Sequence, residues 1–438
     1  MINTTYYQDM TRLNTFGMKV KARCFIEYDS VADLVDIDFE ELARPVLHIG
    51  GGSNLLFTDD FKGTVLHSKI NFIEILDECH RDGVEKLNPS HSSEWAPPVH
   101  EATGGHGFSN HPCDPSQCHF DQAQRVEKSV LVSVGAGVVF DDFCAWAAKE
   151  GLWGVENLSY IPGEVGASAV QNIGAYGVEA KDVIKTVYCY DTVEEEFVNF
   201  DVEDLDYGYR DSAFKDPEIK GRYIVTHVVF ALSRTPQPKL DYGHLKAAVL
   251  SALSRECHSV PETPSQTSLG PSPYPRVGKC PLHTNGTSPS DADAEQGVLA
   301  KVTPALIRKV IIKIRKEKLP EPSVMGSAGS FFKNPVISAE HFARIEAAAK
   351  AEHGAEYKAP HYDLPDGMIK IPAAWLIEQC GWKGKRSGGA AVYDKQPLVI
   401  VNYTGEAYPE EIVGLERRII ASVKAKFDII LHPEVEHI

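Results

Sequence analysis

The stretch NLSYIPGEVGASAVQNIGAYGVE, residues 157–179, carries four glycines with small alanine and serine residues between them. Glycine has no Cβ, so another group can approach its backbone closely. So many small side chains in one segment leave a broad, open backbone surface. Such a surface suits a flat aromatic ring system that bears a diphosphate tail, and close packing of one strand against another is the alternative.

A second glycine cluster, HIGGGSNLLF at residues 48–57, follows an apolar strand pattern. Successive N–H groups of such a turn can form a concave site for an anion. The cluster does not match the G-x-G-x-x-G dinucleotide fingerprint, because its spacing differs and no helical pattern follows. Taken alone, such a cluster is more often a simple tight turn than an anion site.

A third segment, GSAGSFFKNP at residues 326–335, sets Ser330 among small residues and follows it with Phe331 and Phe332. One interpretation is a tight turn that needs small residues. The other is that a bulky group must come within bonding distance of the hydroxyl, while the two phenylalanines anchor the turn in a core.

Composition limits the class of protein. The chain has 438 residues, enough for about three domains, with 43% hydrophobic residues and a net charge of −17. That charge argues against a nucleic-acid partner, which needs a basic surface. The opening residues have no signal-peptide pattern, no run of about 18 apolar residues predicts a membrane span, and nine scattered cysteines fit a reduced compartment. We therefore expect a soluble cytoplasmic protein.

Two polar segments interrupt the globular pattern, at residues 78–127 and 257–296. Neither shows a helical or alternating apolar period, so we interpret both as long surface insertions. The first contains His111 with Cys113 and Cys118 with His119, which makes a metal site conceivable. Their spacing matches no defined zinc pattern, so our prediction is a solvated loop and no metal.

Outside the insertions, strand and helix patterns alternate irregularly, which is typical of an α+β fold. Residues 130–151 predict a strand and then a helix capped by Asp141 and ended by Gly151. Thr303 and Pro304 predict the start of a further helix. The segment 408–427 places Ile412, Leu415, Ile419, Val423 and Phe427 on one helical face, and a short strand is expected to close the chain.

Seven blocks of the chain, in order, resemble the UDP-N-acetylenolpyruvoylglucosamine reductase family, type I flavoenzymes of peptidoglycan precursor synthesis. The blocks are NTFG at 14–17, GGGSN at 50–54, IPGEVGASAVQNIGAYG at 161–177, YGYRDSAFK at 207–215, LDYGHL at 240–245, KLPEPSVMGSAGSFFKNP at 318–335 and HPEVEHI at 432–438. The resemblance implies a two-part FAD-binding fold of the vanillyl-alcohol-oxidase type plus a C-terminal α/β substrate-binding domain. It divides the chain into subdomain 1 at 1–70, subdomain 2 at 71–300 and the substrate-binding domain at 301–430, with 431–438 returning to subdomain 1.

The resemblance also implies that FAD is the bound cofactor and that NADPH reduces it. The implied FAD-binding residues are Asn14, Thr15, Phe16, Gly50, Gly51, Gly52, Ser53, Asn54, Ile161, Pro162, Gly163, Gly166, Ala167, Gln171, Asn172, Gly174, Ala175, Tyr176 and Gly177.

For the chemistry, the resemblance implies that hydride adds to the terminal enolpyruvyl carbon of a nucleotide-sugar substrate. Ser330 matches the family's proton donor, and Arg210 and Glu434 match the residues that stabilise the enolic intermediate. We expect Glu434 to be protonated if its pKa is raised in a dry site. The substrate-pocket positions matched are Tyr242, Arg315, Lys318, Asn334 and Tyr362.

Two further hypotheses remain open. The first is an FAD-dependent oxidase or dehydrogenase of another small molecule, which would need a base to remove a proton rather than an acid to donate one. The second is a non-catalytic binding protein whose insertions are the interaction surfaces. In every case we expect a monomer.

Overall fold

The computed structural model describes residues 1–76, 129–258 and 301–438. Nearly all of both predicted insertions lies outside these ranges, and so do the candidate metal ligands His111, Cys113, Cys118 and His119. The helices of the described part are α1 Val31–Val35, α2 Phe140–Lys149, α3 Val165–Gln171, α4 Leu245–His258, α5 Pro304–Lys318, α6 Ala339–His353, α7 Ala373–Gln379 and α8 Pro409–Phe427.

The strands fall into three consecutive groups. The first group is β1 Ile2–Asp9, β2 Lys21–Tyr28, β3 Val46–Ile49, β4 Leu55–Leu56, β5 Phe61–Ser68 and β6 Ile73–Ile75. The second is β7 Val130–Gly135, β8 Gly174–Ala175, β9 Val178–Glu179, β10 Ile184–Asp191, β11 Glu196–Asp201 and β12 Tyr223–Leu232. The third is β13 Gly326–Ser327, β14 Val336–Ser338, β15 Tyr362–Asp363, β16 Met368–Lys370, β17 Arg386–Ser387, β18 Ala390–Val392, β19 Ile400–Asn402 and β20 Glu436–His437.

Two sheets build the first part of the molecule. One has the strand order β1-β2-β5-β3, in which β5 pairs in parallel with β2 and β3 while β1 pairs antiparallel with β2. The other has the order β11-β10-β12-β7-β6 and is antiparallel throughout. In its middle, β10 and β12 pair antiparallel over most of their length. A further sheet, β13-β19-β18-β17, belongs to the C-terminal part.

The predictions of helix ends from local sequence signals were correct for Thr303, Pro304 and Gly151 and wrong for Asp141. Thr303 caps α5 by accepting a hydrogen bond from the Leu306 N–H, Pro304 is its first residue, and Gly151 follows α2 with φ +70°. The prediction that Asp141 caps α2 is wrong, because Asp141 lies inside the first turn and the N-cap is Val139. The Asp141 carboxylate instead accepts a hydrogen bond of 2.9 Å from Arg308 Nη2. A long-range guanidinium partner replaces the local cap.

Helix α8 presents the predicted apolar face to the core, with all five of its expected residues buried. The closing strand is shorter than expected, since only β20, at 436–437, pairs, in parallel with β4. Residues 436–437 thus pair with a strand of the first 70 residues. Helix α5 follows the predicted domain boundary at residue 301 but packs against α2 and α4, which precede it. The boundary at residue 301 therefore stays a prediction.

One hydrophobic core joins the first 65 residues to the last third of the chain. It contains Phe16 and Val65 together with Phe331, Phe332 and Val435. The rings of Phe16 and Phe331 meet edge to face with centroids 6.2 Å apart. Separate cores lie beneath the antiparallel sheet and beneath α4 and α5. Within the described ranges, no helix has the length and apolar character needed to span a bilayer.

The NTFG segment, residues 14–17, forms the junction between the first 65 residues and the last third of the chain. Asn14 closes its own loop, since its side chain bonds the carbonyls of Met10 and Met18 and accepts from the Met18 N–H. The Phe16 carbonyl accepts a hydrogen bond of 3.1 Å from the Asn402 side chain. A Cβ placed on Gly326 would lie 2.1 Å from that same carbonyl oxygen. The junction therefore requires glycine at 326.

We expect Gly326→Ala to lower the free energy of unfolding by at least about 2 kcal/mol, because rigid backbone would have to move. Gly414→Ala is the matched control, since a Cβ at this position of α8 meets nothing within 4 Å. It should stabilise the protein by roughly 0.5–1 kcal/mol through helix propensity. Urea unfolding of both variants checks this, and equal stability of the Gly326 variant and wild type would contradict the proposed contact.

Candidate active site

A cavity of about 330 Å³ lies where the GGGSN loop, the start of α3 and the turn 328–330 converge. Most of the residues predicted for the cofactor and for catalysis line it. They are Gly50, Gly51, Gly52, Ser53, Asn54, Ile161, Pro162, Gly163, Gly166, Ala167, Gln171, Gly174, Arg210, Ser330 and Glu434, and the predicted substrate residue Arg315 lines the cavity as well. The two glycine clusters, about 100 residues apart in the chain, therefore both line the same cavity.

Some predicted residues lie away from the cavity wall. Asn14 and Phe16 are buried in the junction described above. Asn172 is fully buried and ends α3 in the left-handed conformation, with φ 44°. Its side chain donates to the Gly208 carbonyl at 2.7 Å, which ties α3 to the YGYRDS segment. The others outside the wall are Thr15, Ala175, Tyr176, Gly177, Tyr242, Lys318, Asn334 and Tyr362.

Arg210 and Glu434 form an ion pair on the cavity wall, with 3.0 Å between Arg210 Nε and a Glu434 carboxylate oxygen. Their side chains are only 18% and 12% exposed. The guanidinium also donates to the carbonyls of Asn172 and Gly174, so its orientation is fixed by the turn after α3. Arg210 itself has φ 56°, a strained backbone conformation that tends to occur at functional sites.

Glu434 is held by backbone contacts on both sides. The Glu434 N–H donates to the Phe331 carbonyl at 2.8 Å, and the Asn54 side chain donates to the Glu434 carbonyl at 3.1 Å. Burial raises the pKa of the Glu434 carboxyl, although Arg210, Lys215 and Lys333 oppose that shift. The direction agrees with the expectation that this carboxyl can hold a proton in a dry site.

Ser330 reaches the cavity because its neighbours are fixed. Phe331 and Phe332 are each 1% exposed, and the Phe331 N–H donates to the Leu398 carbonyl at 2.8 Å. Phe332 bridges to Pro433 in antiparallel fashion. The segments that carry Ser330 and Glu434 therefore run side by side. This geometry supports the second interpretation of the segment 326–335, in which an anchored turn leaves the Ser330 hydroxyl accessible to a bulky group.

Of the predicted substrate residues outside the wall, Asn334 and Tyr242 each contact a tyrosine. Asn334 donates to the Tyr209 hydroxyl at 3.3 Å, and the cations of Arg210 and Lys370 lie 5.5 Å and 4.7 Å from the centre of the Tyr209 ring. Tyr242 meets Tyr176 edge to face, 6.0 Å apart. Burial, together with the side chain of Tyr362, raises the pKa of Tyr242 to about 12.

The two basic residues of α5 differ. Arg315 lines the cavity and donates from Nε to the Tyr160 carbonyl at 3.0 Å, and burial lowers its pKa. Lys318, at the end of the helix, is exposed to solvent.

The cavity fits FAD by its chemistry. A Cβ on Gly50 would lie 3.0 Å from the Ala167 Cβ, so the two glycine-rich walls approach as closely as side chains allow. Two buried polar atoms of lining residues, Gln171 Nε2 and Glu164 Oε2, have no hydrogen-bond partner in the described part of the protein. A polar cofactor with several donors and acceptors would satisfy such atoms. Within the described ranges, no three or more His, Cys, Asp or Glu side chains lie close enough together to hold a metal ion.

Sequence reasoning missed three polar residues at the site. His48 and Glu164 line the cavity, and Lys215 donates to the Arg210 carbonyl at 2.8 Å. Burial lowers the pKa of His48 to about 4, and its Nε2 lies 2.8 Å from the Tyr28 hydroxyl. All three stand inside or beside the quoted blocks, so their positions were the available signal. The partners of His48 and Glu164 lie 20 and 97 residues away in sequence, so no local pattern revealed them.

Two family models match the chain. The C-terminal domain of UDP-N-acetylenolpyruvoylglucosamine reductase matches residues 321–438, and an FAD binding domain matches residues 103–196.

Relatives that carry the name UDP-N-acetylenolpyruvoylglucosamine reductase are similar over nearly the whole chain. The protein from Bacteroides fragilis is 40% identical and covers 97% of each chain. Those from Porphyromonas gingivalis and Neisseria meningitidis are each 36% identical, over 98% of this chain and 97% or 96% of theirs.

A solved structure of UDP-N-acetylenolpyruvylglucosamine reductase from Thermus caldophilus has a similar fold. The TM-score is 0.52 at 18% identity, over 100% of this chain and 98% of the other. At that identity the likeness concerns the fold alone.

Lys215 gives a testable pH dependence. Burial and the neighbouring Lys333 lower its pKa from the ordinary 10.5 to about 8 in the folded protein. Above pH 8 Lys215 therefore binds more protons in the unfolded chain than in the folded one, so its own contribution to stability should rise as the pH increases towards about 10.5. We expect the stability of the wild-type apoprotein, taken relative to Lys215→Met, to rise over this range, because the difference cancels the buried thiols and tyrosines whose raised pKa values lower the stability of both proteins. Urea unfolding across that range measures it.

The control for this experiment is Lys62→Met, whose side chain is 75% exposed. This variant should keep the wild-type pH dependence. A Lys215 variant that follows the wild-type curve would show that this ammonium does not lose its proton in that range.

Proposed function

Because the chain belongs to the UDP-N-acetylenolpyruvoylglucosamine reductase family, we propose that Ser330, Arg210 and Glu434 perform its chemistry at the cavity described above. The protein is a flavoenzyme of peptidoglycan precursor synthesis that uses FAD and NADPH. The observation that supports the residue assignment is their convergence. The Arg210–Glu434 pair and the Ser330 hydroxyl line the same cavity as the two glycine clusters.

Bound FAD, once reduced by NADPH, supplies the hydride that the terminal enolpyruvyl carbon takes up. The adjacent carbon then carries negative charge that is shared with the substrate carboxylate. Ser330 donates the proton of its hydroxyl to that carbon, so the reduced product gains one hydride and one proton. Even a weak acid suffices, because the carbanionic carbon is very basic.

Arg210 and Glu434 stabilise the charge before the proton arrives. The guanidinium is held by two backbone carbonyls and by Glu434, so it is preorganised for the developing oxyanion and needs no rearrangement. Glu434, with its raised pKa, can donate a hydrogen bond when protonated. Together the two residues favour the enolic form over the ground state.

For the remaining assignments we propose that the GGGSN loop and the 161–174 wall hold FAD, while Arg315 and the residues around Tyr209 receive the UDP-sugar. Lys318, Tyr242, Asn334 and Tyr362 are proposed to contact the substrate at the mouth. The protein is proposed to act in the cytoplasm as a monomer. The free thiols of Cys24, Cys144, Cys189 and Cys380 in the described part fit a reducing compartment.

The function is tested by the absorbance spectrum of the purified protein, followed anaerobically. NADPH should bleach the flavin band, and UDP-N-acetylglucosamine enolpyruvate should restore it. A band that returns only with oxygen would favour an oxidase, and a protein that binds no flavin would favour a binding role.

Ser330→Ala should leave flavin reduction by NADPH nearly intact and slow the substrate-driven reoxidation by roughly 10²–10⁴-fold, the usual contribution of a positioned acid. Stopped-flow measurement of the two half-reactions separates these steps. Ser323→Ala, at an exposed residue outside the cavity wall, is the control and should behave as wild type. An equal loss in both half-reactions of the Ser330 variant would mean that this serine shapes the pocket instead.

A further inference from the structure

Glu164 is a carboxylate built into the cavity wall between the two glycine clusters. Its side chain is 10% exposed, and one oxygen, Oε1, lies 3.0 Å from His67 Nε2. The other oxygen, Oε2, is buried and accepts no hydrogen bond from any residue in the described ranges. A buried carboxylate oxygen without a donor is costly, so this atom needs a partner beyond the residues that the structure describes.

The orientation of Glu164 is fixed by a chain of polar groups behind it. His67 is 4% exposed, and its second ring nitrogen, Nδ1, lies 3.2 Å from a Glu27 oxygen. Lys69 Nζ lies 3.6 Å from that same oxygen. The two ring nitrogens of His67 thus each face one carboxylate, Glu27 on one side and Glu164 on the other. Glu164 therefore cannot turn Oε2 towards His67 without giving up the Oε1 contact.

Glu164 lines the cavity, and its Oε2 lies against the GGGSN loop. A Cβ on Gly50 would lie 3.3 Å from this oxygen, so the GGGSN loop packs directly over the carboxylate. Glu164 also stands beside Gly163, which lines the same cavity. The acceptor thus lies between the two segments proposed to hold FAD.

We propose that Glu164 is a further cofactor-binding residue, whose Oε2 accepts a hydrogen bond from an O–H or N–H group of FAD, and that His67 is its positioning residue. A carboxylate repels phosphate, so the partner belongs to the flavin, the ribityl chain, the ribose or the adenine and not to the diphosphate. The proposal rests on FAD binding at this cavity.

The test compares Glu164→Met with wild type. Methionine is similar in length and removes the acceptor without opening a large cavity. FAD is titrated into each apoprotein, and its fluorescence quenching gives the Kd. We expect the Glu164 variant to bind FAD about 10- to 100-fold more weakly, as for the loss of a hydrogen bond to a charged acceptor. The rise in Tm on adding FAD should also be smaller, which measures binding even if the variant folds less stably.

Glu156→Met is the matched control. Glu156 is also a buried carboxylate, 3% exposed, but it does not line the cavity and accepts from the Gly154 N–H at 2.7 Å. Its loss should leave the Kd for FAD within about twofold of wild type. A Glu164 variant that binds FAD as tightly as wild type, or an equal loss in the Glu156 variant, overturns the proposal. Wild type that binds no FAD would instead contradict the cofactor assignment of the whole cavity.

The role of His67 is tested by a double-mutant cycle. If His67 acts by holding Glu164, His67→Met should weaken FAD binding in the wild-type background and have little further effect beside Glu164→Met. Equal effects in both backgrounds would overturn the positioning role. FMN and ADP, titrated separately, identify the partner group. Weakened binding of one fragment by the Glu164 variant supports the proposal, and unchanged binding of both contradicts it.

Discussion

The site depends on the way the backbone of Glu434 is bound from two sides. Its N–H bonds the Phe331 carbonyl, next to Ser330, and its carbonyl accepts from Asn54 in the GGGSN loop. Three segments from the beginning and the end of the chain thus meet at one residue. Because one contact joins backbone to backbone and the other comes from the short Asn54 side chain, the separations of the hydroxyl, the carboxyl and the glycine loop are set together.

Electrostatics at this point follow from burial. Glu434 is nearly enclosed, which favours its neutral form, while Arg210, Lys215 and Lys333 favour the charged form. The result is a carboxyl that can be neutral beside a guanidinium whose orientation the backbone fixes. Removing one partner from such a buried pair leaves the other uncompensated, so the two residues act as a unit. Glu164 and His67 form a second buried carboxylate pair, with the difference that one carboxylate oxygen of Glu164 has no hydrogen-bond partner among the described residues.

The sequence predicted the residue types of the site better than their arrangement. The glycine clusters and the anchored serine could be recognised because small residues in a row have few uses other than close approach. Helix signals such as Thr303 worked because capping is a local interaction. Asp141 failed because a guanidinium from a distant helix competed with the local cap. Glu164 was not singled out, since no local pattern reveals that a carboxylate will be buried against a histidine 97 residues away.

The core shared by the first 65 residues and the last third of the chain has a consequence for how such proteins can diverge. The edge-to-face contact of Phe16 with Phe331 and the fit of Gly326 against the Phe16 carbonyl join two segments that are far apart in the gene. Genetic recombination that exchanges only the last third between two family members would separate residues that pack together. A functional chimera would therefore have to inherit both ends of the gene from the same parent.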